Sequence, residues 1–221
     1  QVDFQGIGFL VLVLVHPVAA VDINDMERLG MFDHQVGSAP DGDDLAERIL
    51  DLLVDAALAL LPTRPDVRII FTGRVTDDQR SFFEEQVARL TAAGLQDRVT
   101  FAGELPWERV VDLYRCLDLF VAPARWEGFG LTPLEAMASG VPTVASRVGA
   151  FEALIHDGET GSLVPRDDTQ ALTEAIRGWI DDRARLRNAG PVARAHVLAN
   201  HRIEGEAKAL VNIYRDMLKS S

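Results

Sequence analysis

Arg125-Trp126-Glu127-Gly128-Phe129-Gly130-Leu131-Thr132-Pro133-Leu134-Glu135 is the stretch on which the reading of this chain turns. The apolar run before it, Leu119-Phe120-Val121-Ala122, reads as a buried strand. The residues after it read as a short helix over 134–139, ended by Gly140. Thr132 is a preferred N-cap residue and Pro133 suits the first helical position. Strand, glycine loop and helix start, in that order, present unpaired backbone N–H groups to an anion. Gly128 and Gly130 let the main chain approach a ligand closely. Glu127 stands at the loop entrance and Glu135 one turn into the helix. Two readings of Glu135 stay open. Thr132-Pro133-Leu134-Glu135 has the form of a capping box, in which the carboxylate serves only its own helix end. Alternatively the carboxylate faces a ligand. Glu127 is likewise a surface acid or a ligand group. A loop that offers N–H donors would not usually keep a carboxylate at its mouth unless something cationic or hydroxylated binds there.

Outward from this stretch the pattern alternates. Strands are expected at 67–71, 98–102, 119–122, 141–145 and 161–164. Before the first of these, Asp43 or Asp44 caps a helix that reaches Leu61. Its broad apolar face carries Leu45, Ile49, Leu52, Leu53, Ala56 and Leu60, and Pro62 and Pro65 stop it. Further helices run from Asp77 or Asp78 to Gly94, from Pro106 through Leu117, and over 151–155. Three more follow the last strand, at 169–180, at 182–199 with an interruption at Gly190-Pro191, and at 203–218. Residues 7–15 are continuously apolar, too short to span a bilayer as a helix, and preceded by Asp3 rather than a basic segment; they read as a buried strand. Gly6-Ile7-Gly8 is not a dinucleotide fingerprint, since Val11 stands where the third glycine belongs. Residues 16–44 are poorly patterned and read as loop, with a short helix at 23–29.

Strands alternating with helices imply right-handed crossovers and a parallel, Rossmann-like α/β sheet with helices on both faces. Ligands bind such sheets beyond the carboxyl ends of the strands. Arg74, Gly103-Glu104-Leu105, Arg125 to Leu131 and Ser146 to Gly149 all fall at those ends. Four loops are therefore expected to converge on one edge.

Composition narrows the function. The 221 residues carry a net charge of −12 and a pI near 4.8, which argues against nucleic acid and against anionic lipid as partners. No lysine precedes Lys208, so the basic groups in the body of the chain are arginines. Cys116 is the only cysteine, so no disulfide can form within the chain, which suits a reducing compartment. The five histidines, His16, His34, His156, His196 and His201, read as isolated surface or satisfied core residues. No metal-ligand cluster is visible. Ser139 and Ser146 have no His and Asp at nucleophile-elbow spacing.

The Glu127-x7-Glu135 pair around Gly-Phe-Gly-Leu is followed by Ala136-Met137-Ala138-Ser139-Gly140-Val141-Pro142. With Arg98-Val99-Thr100-Phe101-Ala102-Gly103, residues 114–122 and Gly158-Glu159-Thr160-Gly161, the chain resembles the C-terminal half of a GT-B glycosyltransferase of the retaining family 4, or group 1, kind. The match covers about residues 52–219. Leu60-Leu61-Pro62-Thr63-Arg64-Pro65-Asp66, Phe71-Thr72-Gly73-Arg74 and the Glu127–Glu135 stretch are most similar to bacterial lipopolysaccharide-core mannosyltransferases.

The resemblance implies a nucleotide-sugar-binding domain over 52–221 with C-terminal helices, behind a divergent or truncated lead-in at 1–51. It implies that Glu135 holds the ribose hydroxyls of a nucleotide diphosphate sugar and that Glu127, the catalytic candidate, lies by the donor sugar. Gly128, Phe129, Gly130, Leu131 and Thr132 would offer main-chain groups to sugar and diphosphate, and Gly103, Glu104 and Leu105 would meet the base. GDP-mannose is the favoured donor, with no further cofactor. The acceptor would be a glycan or glycolipid held by an N-terminal domain that this length cannot include. The expected location is cytoplasmic, peripheral to the inner membrane through that domain. The family also carries a Gly-Arg…Lys-Gly element ahead of the helix that ends here at Leu61. Residues 36–50 hold only Arg48 and no lysine, so Arg74 and Arg125 are the candidates to neutralise a diphosphate. The alternative function is a non-catalytic nucleotide-sugar-binding half; an epimerase of the same two-domain fold is a weaker third.

Overall fold

A computed structural model of the chain describes residues 10–15, 45–125, 127 and 130–219. The lead-in loop at 16–44 and the expected helix at 23–29 lie outside these residues, as do Trp126, Gly128 and Phe129. The strands are β1 (Leu10–Val15), β2 (Val67–Thr72), β3 (Val99–Gly103), β4 (Leu119–Ala122), β5 (Thr143–Ser146) and β6 (Gly161–Val164). They form one sheet in the order β3-β2-β1-β4-β5-β6. β2 pairs with β3, β4 with β5 and β5 with β6, all in parallel. β1 lies between β2 and β4 and is antiparallel to both, so β2 to β6 point one way and β1 the other. The expected parallel sheet is thus present with one inverted central strand. Its six apolar residues suit an interior position, but a period-two pattern carries no information about direction.

The helices are α1 (Leu45–Leu60), α2 (Arg80–Ala92), α3 (Trp107–Arg115), α4 (Leu131–Ala138), α5 (Gly149–Leu154), α6 (Thr169–Asp181), α7 (Arg183–Asn200) and α8 (Ile203–Lys219). They cover both faces. Ile69, Phe71, Leu119, Val121 and Val144 point into one core with Leu53, Leu60, Leu172 and Trp179 of α1 and α6. The alternate residues Ile70, Phe120, Ala122 and Ala145 point into the other, with Leu113, Met137, Phe151 and Ala193 of α3, α4, α5 and α7. Every residue of β4 and β5 is buried, as expected of strands covered on both sides.

Two expectations about helices need correction. α7 runs unbroken through Gly190-Pro191. Pro191 is exposed, so the carbonyl it leaves without a helical partner can meet water. Gly190 packs so closely on α4 that a Cβ there would lie 2.3 Å from the Gly140 carbonyl oxygen. The second correction concerns the start of α4, three residues earlier than expected.

Candidate functional site

All five parallel strands end at the same edge, and their loops are tied in pairs. Gly73 N–H and the Thr72 hydroxyl both donate to the Gly103 carbonyl, at 3.0 and 2.7 Å. That joins the ends of β2 and β3. On the other side of β1, Ala124 N–H donates to the buried Ser146 hydroxyl at 3.1 Å, which joins β4 to β5. A Cβ on Gly149 would stand 2.7 Å from the Glu127 carbonyl oxygen, and Gly149 has φ +33°. The turn after β5 is therefore pressed against the residue that opens the glycine loop.

The entry into α4 is not built as the sequence suggests. Gly130, at φ +84°, is the N-cap residue, and no side chain caps the helix in the usual way. Thr132 and Pro133 are the second and third helical residues rather than cap and first. The Glu127 carboxylate takes the cap's place from outside, accepting from Gly130 N–H at 3.0 Å. The N–H groups of Leu131 and Thr132 are left at the helix start without an intrahelical acceptor, and Pro133 has none to offer. Gly130 also lies against Phe151, whose ring would be 3.2 Å from a Cβ. At the other end Gly140 N–H bonds Met137 O and Val141 N–H bonds Ala136 O, each at 3.0 Å, with Gly140 at φ +85°. That is a Schellman end, as Gly140 led one to expect.

Glu135 is not part of a capping box. Its Oε2 accepts from the Tyr114 hydroxyl of α3 at 3.2 Å. Tyr114 is buried and meets Phe120 of β4 edge to face, ring centres 5.6 Å apart. Burial raises the Glu135 pKa above the ordinary carboxylate value, and the Tyr114 hydrogen bond opposes that rise. Burial, then the Glu135 charge, push the Tyr114 phenol well above its usual value, so at neutral pH it is a donor. A cavity of about 510 Å³ between α3, α4 and α7 is lined by Val110, Tyr114, Arg115, Glu135, Ser139 and Arg194, among others.

Comparison with known proteins shows the family. The glycosyl transferases group 1 profile matches residues 43–196. The chain belongs to the glycosyl transferases group 1 family. Two relatives are similar to it over much of its length. It is 48% identical over 171 residues to the lipopolysaccharide core biosynthesis mannosyltransferase LpsB of Rhizobium meliloti (strain 1021), covering 76% of this chain and 48% of that protein. It is 41% identical over 217 residues to the mannosyltransferase LpcC of Rhizobium leguminosarum bv. viciae, covering 94% and 58%. The chain thus spans about half the length of these curated relatives. Among solved structures, the C-terminal domain of a group 1 protein (LpcC) from Francisella tularensis superimposes with a TM-score of 0.69 at 25% identity, covering 83% of this chain and 95% of that domain. The Anabaena protein HepE, solved with UDP, superimposes with a TM-score of 0.72 at 22% identity, over 87% of this chain and 52% of that one, and shows the shared fold.

In this group 1 chain the expected site residues fall into three sets. Glu127, Gly130, Leu131, Thr132 and Glu135 cluster at the β4–α4 junction. Gly128 and Phe129 lie outside the described residues. Arg74, Gly103, Glu104 and Leu105 sit at the ends of β2 and β3, across β1 from that junction. The Gly103 carbonyl already accepts two donors, Glu104 is exposed, and Leu105 packs partly into the core. Arg74 Nε is buried without a hydrogen-bond partner, whereas Arg125 pairs with Asp167 at 2.6 Å. Asp167 holds φ +57°, and Arg166 donates to the Arg125 carbonyl at 3.2 Å. Arg125 is thereby latched to the loop after β6.

Sequence reasoning placed Ser146 to Gly149 at the ligand edge without giving either residue a role, and it gave Tyr114 none. A tyrosine on the buried face of α3 was the available signal, because a buried phenol needs a partner. The histidines were misjudged as isolated: the ring centres of His156 and His196 are 4.2 Å apart, and those of His196 and His201 5.7 Å. His16 and His34 lie outside the described residues. Among the described residues no group of three His, Cys, Asp or Glu side chains is arranged to hold a metal ion, and no helix is long and apolar enough to cross a membrane.

Proposed function

We propose that this chain is the donor-binding half of a retaining hexosyltransferase, which moves a sugar from a nucleotide diphosphate sugar to a glycan or glycolipid acceptor. The observation that carries the reading is the pair of carboxylates at the start of α4. Glu127 is fixed on Gly130 N–H and Glu135 is held from another helix by Tyr114. Glu135 has no capping duty, and a half-buried carboxylate is well suited to accept from the vicinal hydroxyls of a ribose. The N–H groups of Leu131 and Thr132 suit the diphosphate. Glu127, one loop away, would face the sugar carbon on which positive charge develops as the glycosidic bond to the diphosphate breaks. Most of the rate would come from positioning and charge stabilisation, since diphosphate is already a good leaving group.

The mannosyltransferase names of the two Rhizobium relatives support mannose as the sugar and a lipopolysaccharide core as the acceptor, with GDP-mannose as the favoured donor. Anabaena structures of the same fold contain UDP or UDP-glucose, so both nucleotides belong in the test. We place the reaction on the cytoplasmic side of the membrane, with the acceptor brought by an N-terminal domain. Arg74, with its unpartnered Nε, is a better candidate than the latched Arg125 to face the diphosphate.

A second reading is that the 221-residue chain binds nucleotide sugar without transferring it, favoured because it spans about half of its relatives. Calorimetric titration with GDP and UDP, followed by transfer assays on the chain alone and joined to a relative's N-terminal half, separates the two. The first reading expects saturable binding by the chain alone and transfer only by the joined protein. Glu127→Ala should then abolish that transfer. The absence of heat with both nucleotides on folded protein would remove both readings.

A further inference from the structure

We infer that Tyr114 is a positioning residue for nucleotide binding: its hydroxyl holds the Glu135 carboxylate in the orientation, and the charge state, that a ribose diol requires. The inference rests on the proposed role of Glu135 as a nucleotide ligand. It adds a residue from α3, outside the glycine loop.

The geometry is specific. Among the described residues Tyr114 is the one hydrogen-bond donor to the Glu135 carboxylate. The other charged groups lining the same cavity are engaged elsewhere. Arg115 pairs with Asp112 on its own helix at 3.4 Å, and Arg194 donates to the Ala138 carbonyl. Tyr114 is itself closely packed. It is 2% exposed and its ring is held edge-on by Phe120 from β4. The hydroxyl is thus fixed with respect to the sheet, whereas the Glu135 side chain has rotatable bonds and no second anchor. One carboxylate oxygen on a fixed donor leaves the other to accept from a ligand. Burial alone would favour the neutral acid, which accepts poorly, and a donor to the carboxylate opposes that. Tyr114 therefore acts on Glu135 twice, through its direction and through its charge.

Tyr114→Phe tests this, because phenylalanine keeps the ring against Phe120 and removes only the hydroxyl. Two measurements on the full chain are needed. The first is the Glu135 side-chain carboxyl titration followed by carbon-13 NMR without nucleotide, assigned with Glu135→Gln. The second is the affinity for GDP and UDP from pH 5 to 8.5. Tyr114→Phe should raise the Glu135 midpoint, since the hydrogen bond that opposes the effect of burial is gone, and move the acid limb of nucleotide affinity upward by the same amount. Affinity at pH 8 should fall about fivefold, the loss expected for one positioned hydrogen bond. An unmoved Glu135 midpoint would overturn the inference at its first step. A shifted midpoint with an unmoved affinity profile, while Glu135→Ala still weakens binding, would overturn the inference and leave the role of Glu135 standing. Unchanged affinity in Glu135→Ala would remove the role of Glu135, and the inference with it.

Discussion

The two edges of the sheet are built on opposite principles. At the edge where β2 and β3 begin, charges are over-supplied with partners. Arg98 donates to the carbonyls of Leu61, Arg64 and Val67. Asp66 takes a two-pronged contact from Arg64, both bonds 2.9 Å, and a third from Arg183. Arg64 also pairs with Asp181 at the end of α6. This cluster ties α1, β2, α6 and α7 together. At the edge where the parallel strands end, several polar groups are left short of partners. Arg74 Nε has no hydrogen-bond partner, Glu135 has one donor, and two N–H groups at the start of α4 lack intrahelical acceptors. A fold gains nothing from polar groups left short of partners. The contrast separates an edge that holds the chain together from one that waits for something else to complete it.

The largest expected effect is on the first edge. Arg98→Ala leaves three partly buried carbonyls without their shared donor and should cost about 3 kcal/mol of stability, at about 1 kcal/mol for each bond. Chemical denaturation measures it. Nucleotide affinity of the folded fraction should not change, and a loss of affinity would show that the two edges are not independent.

Next comes the joint between β5 and the glycine loop. Gly149→Ala places a methyl group against the Glu127 carbonyl in a backbone conformation that suits glycine. It should cost about 2 kcal/mol. Unlike Arg98→Ala it should also act on function, and selectively. Nucleotide sugar should bind less well while free nucleotide, held through Glu135, should bind as before. Equal losses for both ligands would merge the two carboxylates into one unit.

How much of this could be read from the sequence differs between the edges too. The β-branched and apolar runs of β2 to β6, and the helices between them, were legible because the pattern of burial is local. The glycine loop and its two glutamates were legible for the same reason. The start of α4 was not. A search for Ser or Thr followed three residues later by Glu finds Thr132 and Glu135, but Glu127 caps Gly130 from outside the helix and frees Glu135 for Tyr114. Pro191 was read as a break because its effect inside a helix is usually decisive. The close seat of Gly190 on α4 is a tertiary fact with no local trace. The carbonyls that Arg98 meets lie about 30 to 40 residues away in sequence, the Arg183 partner of Asp66 lies 117 away, and His156 lies 40 residues from His196. The direction of β1, antiparallel to both of its neighbours, is not encoded in its run of apolar residues.

The smallest effect is the sharpest test, because the two edges should respond to pH with opposite sign. Asp66 is held down to about 2 by its Arg64 hydrogen bonds, below the unfolded value near 4. Its contribution is present above that unfolded value and disappears as pH falls toward 2. Asp66→Asn should therefore lose about 1 kcal/mol at pH 7, a modest figure because the cluster is partly open to water, and the difference from wild type should vanish in acid. Glu135 is displaced the other way, since burial raises its pKa. Its ionised form is a burden on the folded state above that raised value, and the burden lifts as pH falls through the unfolded value. Glu135→Gln should accordingly be no less stable than wild type at pH 8, and any gain should shrink toward pH 4. Its nucleotide affinity should meanwhile fall about tenfold, as for one charged hydrogen bond. Thermal denaturation of both variants from pH 2 to 8 reads the two signs directly. A stability loss in Glu135→Gln that grows with pH would mean that its carboxylate supports the fold as Asp66 does, and the distinction between the edges would fail at the residue on which the proposed function depends.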